Sequence, residues 1–154
     1  MEMVKYCAAN HCPIDKYACE NAAKGGHLEI LKYLREEVKA PWDSRIAERA
    51  AEQGDLHILK YLVKRKFFVA RKRDYDGFDG RYVCWLAAKN GHLDCLKFLH
   101  KVAKAPWDSR AVEIAFKENE SECLHYLLNN GCPLPEGWRY EDGTLSKYLI
   151  LKQF

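Results

Sequence analysis

No run of this chain approaches the roughly 20 apolar residues that a membrane-spanning helix needs, so no membrane contact is expected. The opening Met1-Glu2-Met3-Val4-Lys5-Tyr6-Cys7 lacks the basic start and long apolar centre of a secretory leader. The seven cysteines are odd in number and include no Cys-x-x-Cys pair. That argues against a disulfide framework and fits a reducing compartment. An intracellular, cytoplasmic protein is therefore expected, with the nucleus as the alternative. Charge of one sign is missing too: 25 Lys and Arg against 22 Asp and Glu leave a net +3, too mild a balance to call for nucleic acid.

What is present is a repeat. With 154 residues, 48% of them hydrophobic, the chain suits one compact domain or one short array. Ala22-Ala23-Lys24-Gly25-Gly26-His27-Leu28-Glu29-Ile30-Leu31-Lys32-Tyr33-Leu34 returns as Ala50-Ala51-Glu52-Gln53-Gly54-Asp55-Leu56-His57-Ile58-Leu59-Lys60-Tyr61-Leu62. It returns again as Ala87-Ala88-Lys89-Asn90-Gly91-His92-Leu93-Asp94-Cys95-Leu96-Lys97-Phe98-Leu99, and in worn form from Ala115 to Leu127. The copies start at 22, 50, 87 and 115, so they are 28, 37 and 28 residues apart. Self-similarity at a fixed period is the mark of stacked units.

Each unit reads as helix, turn, helix, connector. Ile30, Leu31 and Leu34 form the apolar stripe of one helix. Ile46, Ala47, Ala50 and Ala51 form a thinner stripe of small residues that lets helices approach closely. The glycine between them supplies the positive φ that ends a helix cheaply. The connectors Lys39-Ala40-Pro41-Trp42-Asp43-Ser44-Arg45 and Lys104-Ala105-Pro106-Trp107-Asp108-Ser109-Arg110 place Asp43 and Asp108 as N-caps. Asp15 has the same part in the first unit.

The chain thus divides as a single array over 1–154: a half unit at 1–12, units at 13–40, 41–66, 79–105 and 106–132, an insertion at 67–78, and a C-terminal cap at 133–154. The half unit opens inside a second helix, as a truncated or degenerate end. A last short helix at about Thr144–Lys152 is expected to close the stack. The fold expected is all-α, a solenoid of stacked helix-turn-helix repeats.

These residues resemble the ankyrin repeat, whose units run Ala-Ala, two variable residues, Gly-His-Leu-Glu and then an apolar helix. Residues 22–34 carry the likeness most closely, and it extends to about residue 133. The period of 28 is shorter than that family's 33 or so, and Pro-Trp-Asp-Ser stands in place of its Thr-Pro-Leu-His opening. That leaves little chain for the family's β-hairpin fingers. The pattern looks most like the short, divergent ankyrin-type repeats common in protists and giant viruses. The resemblance implies a non-catalytic protein-binding scaffold. In that family the histidine matched by His27 and His92 ties neighbouring turns together, and Asp55 and Glu120 take its place in the other units.

Cysteine and histidine together suggest zinc or a nucleophile, but the repeat provides an internal control. Cys19 and Cys84 share a column with Ala47 and Val112; Cys95 and Cys123 with Ile30 and Ile58; Cys7 with Leu34; Cys12 and Cys132 with Ala40 and Ala105. Every cysteine thus stands where a small or apolar residue packs. His11, His57, His100 and His125 have no partner at telling spacing. Asp74, Asp76 and Asp79 around Gly77 miss the EF-hand pattern, because Phe78 and Asp79 fall where an oxygen ligand and the glycine belong. No catalytic residue, metal or cofactor is expected.

Two candidate surfaces remain. On the first helices the exposed positions are Tyr17, Glu20 and Lys24; Arg45, Glu48 and Glu52; Tyr82, Trp85 and Lys89; Arg110, Glu113 and Lys117. Stacked, they form an aromatic and charged ribbon. Trp85 breaks a column of glutamates and borders the insertion with Phe67 and Phe68. Tyr17, Arg45, Glu48, Tyr82, Trp85, Lys89, Arg110, Phe67 and Phe68 are therefore the expected contacts for another protein, made by a monomer. The second surface is the basic stretch 64–73, with Lys64, Arg65, Lys66, Arg71, Lys72 and Arg73. It supports an alternative reading as a nuclear or nucleic-acid-associated binding module.

Overall fold

The computed structural model describes residues 1–10, 12–67 and 79–147. Its helices follow in antiparallel pairs after a single leading helix, α1 (Glu2–Ala9). The pairs are α2 (Lys16–Lys24) with α3 (Leu28–Glu36), α4 (Arg45–Gln53) with α5 (Leu56–Lys64), α6 (Gly80–Lys89) with α7 (Leu93–Lys101), and α8 (Ser109–Lys117) with α9 (Ser121–Asn129). The first helices, α2, α4, α6 and α8, pack side by side in one tight row. Ala22, Ala23, Ala50, Ala51, Ala87, Ala88, Ala111 and Ala115 are all buried there, and their small side chains allow the close approach. The second helices touch their neighbours more sparsely, so the stack fans outward on that side. Leu31, Leu59 and Leu96 are fully buried between the layers. Leu124, expected with them, is only half-buried. No unit follows α9 to cover it among the described residues.

Local chemistry explains the helix ends. Gly26, Gly54 and Gly91 take φ of 69°, 73° and 69° in the turn between paired helices. In the fourth pair Asn119 holds the same position at φ 61°, because asparagine tolerates the left-handed region better than other side chains. Asp15, Asp79 and Asp108 cap α2, α6 and α8, each accepting a backbone N–H of the first turn. Ser44 already has helical dihedrals, and the Asp43 carboxylate takes up the Arg45 N–H at 3.1 Å.

Asp108→Ala should cost about 1 kcal/mol in urea denaturation. The Arg110 guanidinium beside it holds the Asp108 carboxyl below its ordinary range. Its contribution is therefore complete above the unfolded-state value and fades as pH falls through the lowered folded-state one. The wild type should lose its advantage over Asp108→Ala in acid.

The C-terminal end corrects the expected closing helix. Thr144–Lys147 is a strand, β2, paired antiparallel with β1 (Trp138–Glu141), and residues 148–152 lie outside the described ones. Asp142 and Gly143 turn the hairpin at φ 50° and 76°, and two left-handed residues are what a tight hairpin turn requires. Trp138 packs edge-on against Phe116 at 5.0 Å. Phe116 stands in the column of Ala23, Ala51 and Ala88, which are buried against the next first helix. Among the described residues no further first helix follows α8, so a large side chain fits there, and the hairpin covers part of it.

Candidate functional site

The ribbon on the first helices begins with an ion-pair network. Glu20, expected on the exposed side, is instead buried at 8% exposure. Arg49 Nε donates to its Oε1 at 3.0 Å, and Arg45 Nη1 lies 3.2 Å from its Oε2. A carboxylate cannot be taken out of water without such partners, and two arginines from the next helix supply them. Arg45 also bonds Asp43 and lies over the Tyr17 ring, 4.8 Å from its centroid. Tyr17 remains 51% exposed. Glu48 is half-buried.

Further along, Tyr82 and Trp85 lie one turn apart on α6 and stack, with centroids 5.5 Å apart and planes 14° from parallel. Tyr82 is 40% exposed, and the exposed Lys89 places its ammonium 5.2 Å from the Trp85 ring centroid. Arg110 is exposed and tied to its cap, Asp108. The structure thus brings Tyr17 to Arg45, and Tyr82 to Trp85 and Lys89.

It separates Phe67 from that group. Phe67 is half-buried and packs edge-on against Trp42 at 5.3 Å, beside Tyr61 and Arg35. Of the two placements open to Phe67, beside Trp85 or folded back onto the stack, the structure has the second: the chain leaving α5 turns back onto the connector. Phe68, Arg71, Lys72, Arg73 and the acidic run Asp74–Gly77 lie outside the described residues. Of the basic stretch, Arg65 is spoken for, since its guanidinium bonds Glu36, which also accepts the Tyr61 hydroxyl at 3.0 Å. Those two bonds hold the Glu36 carboxyl below its usual range.

A second aromatic cluster was not legible in the sequence, where His100 had no partner. The imidazole stacks on Trp107 at 3.7 Å and shares a 3.0 Å hydrogen bond with the Tyr126 hydroxyl. Burial, with Lys104 and Lys101 nearby, lowers its pKa. Arg35, Trp42 and Tyr61 repeat the arrangement two intervals earlier. The available signal was the connector tryptophan: Trp42 and Trp107 stand seven residues after Arg35 and His100 respectively.

The cysteines pack. Cys19, Cys84, Cys95, Cys123 and Cys132 are buried, Cys7 is half-buried, and Cys12 is exposed at the end of α1's turn. Burial pushes the Cys84 and Cys132 thiols up to about 12, and those of Cys19, Cys95 and Cys123 up to about 11. All five are thus neutral thiols at physiological pH. No three His, Cys, Asp or Glu side chains converge as metal ligands would among the described residues. No described helix is long and apolar enough to cross a membrane. His92 ties two turns together, donating from Nε2 to the Glu52 carbonyl at 3.0 Å.

No curated protein sequence matches the chain. A family model described as ankyrin repeats, in three copies, matches residues 47–135, which takes in α4 through α9 without most of α4's first turn. With paired helices, left-handed glycine turns and the turn-tying His92 in the matched region, the chain belongs to the ankyrin repeat family, whose repeats generally serve as protein–protein interaction modules.

Proposed function

We propose that this protein is a non-catalytic scaffold that binds another protein along the ribbon of first helices, centred on Tyr82, Trp85 and Lys89. One observation carries the reading: an exposed tyrosine stacked on a tryptophan, with a lysine over the tryptophan ring, stands on the most tightly packed layer of the array. Aromatic and arginine side chains dominate binding energy at protein interfaces, and groups already held in place lose little entropy on binding. The Glu20–Arg45–Arg49 network fixes Tyr17 and Arg45 in the same way at the other end of the ribbon. Arg110 and Glu48 extend the surface between and beyond these two centres.

The test is an affinity pull-down with the whole chain, wild type beside Trp85→Ala and Tyr82→Ala, each checked for unchanged helicity. A partner retained by wild type and lost by roughly tenfold or more in either variant is expected, the scale of one hot-spot truncation. An identical set of partners for all three proteins would sink the assignment of this ribbon.

A further inference from the structure

We propose that the outer face formed by α5 and α7 is a second, separate binding surface, for the phosphate backbone of nucleic acid. On α5 and the residues that follow it stand Lys60, Lys64 and Lys66. On α7 and the residues that follow it stand Lys97, Lys101 and Lys104. Lys60 and Lys97 each follow the buried leucine of their helix, Leu59 and Leu96, and Lys64 and Lys101 lie one turn further on. Lys66 and Lys104 share the left-handed position just beyond the helix, at φ 60° and 54°. The two helices pack against each other, so one triplet of lysines is set beside its copy.

All six are exposed except Lys97, which is half-buried; none has a carboxylate partner among the described residues, although Lys97 and Lys101 lie 6.0 and 5.9 Å from the Tyr126 ring centroid. Asp94, in the first turn of α7, is the only carboxylate on the two helices themselves. Attraction to the helix C-terminus accounts for a lysine in the last turn, as at 64 and 101, but not for Lys60 and Lys97 a turn earlier. Nor does it account for lysine in a left-handed backbone position, where glycine is cheaper. The fourth unit has Gly131 there, at φ 73°. The lattice is also bounded. The preceding unit keeps lysine in two of the columns, Lys32 and the left-handed Lys39 at φ 60°, but Lys32 is paired with Glu29 and Lys39 donates to the Glu36 carbonyl. Glu36 itself stands at the position of Lys64 and Lys101, where it neutralises Arg65. The following unit has His125, Asn129 and Gly131 in the three columns.

The pattern favours a polymer with one negative charge at each regular step. Lysine presents a point charge without the fork of arginine, which suits phosphate contact independent of sequence. The aromatic side chains beside the lattice stack on one another, as His100, Trp107 and Tyr126 do, so they are not set out as anchors for a protein partner. The large exposed apolar side chain here is Val102, too little to enter a bilayer.

The test is fluorescence anisotropy of the full chain with a labelled oligouridine RNA about 20 nucleotides long, in about 50 and 200 mM salt. With about five phosphates contacted, affinity should fall roughly 100-fold between those salts. Lys60→Gln combined with Lys64→Gln should weaken binding about tenfold at the lower salt and lower the log–log salt slope by about 1.4. Trp85→Ala should leave RNA binding unchanged, so this surface and the ribbon stand or fall separately. The proposal is overturned by an absence of RNA binding at the lower salt, or by a double variant that binds like wild type. Tighter binding to a polyglutamate peptide or to phosphatidylserine vesicles than to RNA would also overturn it, and would give the face to an acidic protein or a membrane.

Discussion

Leu96→Ala should unfold at a clearly lower urea concentration than wild type, with a loss of about 2–5 kcal/mol. Leu96 is fully buried on α7, which packs against both α5 and α9. Removing its side chain forfeits transfer free energy and leaves a cavity that rigid neighbours on two sides cannot close. Against a typical domain stability of about 5–15 kcal/mol, that is a large share. The same change at Leu124 should cost less, because Leu124 is only half-buried and already meets solvent. Position in the stack sets the difference, since each unit is stabilised by its neighbours and the end units have one fewer. Equal losses at the two positions would mean that the array does not stabilise α7 more than α9. Amide hydrogen exchange on Leu96→Ala should show the loosening spread from α7 into α9 and the C-terminal hairpin before it reaches α2.

Gly54→Ala is the second expected loss, about 2–3 kcal/mol, from two separable causes. Gly54 sits at φ 73°, where a Cβ costs roughly 1–2 kcal/mol. A Cβ there would also lie 2.6 Å from His92 Nδ1. The ring cannot swing away freely, because its other nitrogen donates to the Glu52 carbonyl. Gly131 has the same φ with nothing within 4 Å of a Cβ, so Gly131→Ala should show the backbone term alone. The gap between the two variants, measured by urea denaturation, then reports the His92 contact. Adding His92→Ala to Gly54→Ala should remove that gap, a coupling that a double-mutant cycle reads directly. If Gly54→Ala and Gly131→Ala lose the same amount, the turn-to-turn contact has no energetic weight.

The same contact recurs in altered chemistry. Asp55 lies over Gly26 and Glu120 over Gly91, each as His92 lies over Gly54. The turn column of the repeat is therefore a chain of side chains, each resting on the glycine of the turn before. Glycine is needed twice over at these positions, for its φ and for the space it leaves.

The array and its register were legible in the residues, and so were the caps and most of the buried cysteines. Each depends on an environment that every unit shares: Ala50 and Ala87 are small for the same reason, and Asp15 and Asp108 cap the same kind of helix start. Comparing copies exposes that reason without coordinates. Cys12 shows the limit of the method, since it shares a column with the buried Ala40 and Ala105 yet is exposed.

What only the tertiary structure decided concerns contacts between different units and at the ends of the stack. Glu20 looked exposed by its place on α2, but Arg45 and Arg49 reach it from α4. Phe67 could have bordered Trp85 or folded back onto the stack, and the backbone after α5 delivers it to Trp42. Thr144–Lys147 looked helical, but forms a hairpin with Trp138–Glu141, and Trp138 meets Phe116. Lys64 and Lys66 read as part of a basic stretch, and Lys60, Lys97, Lys101 and Lys104 as scattered charges, until stacking set one triplet beside the other. A repeating sequence by itself determines what is common to its units, because packing within and between units selects the same residue types at each turn of the pattern. Which side chains meet across unlike units, and what covers the last one, follows from distances in space, which the spacing along a chain does not record.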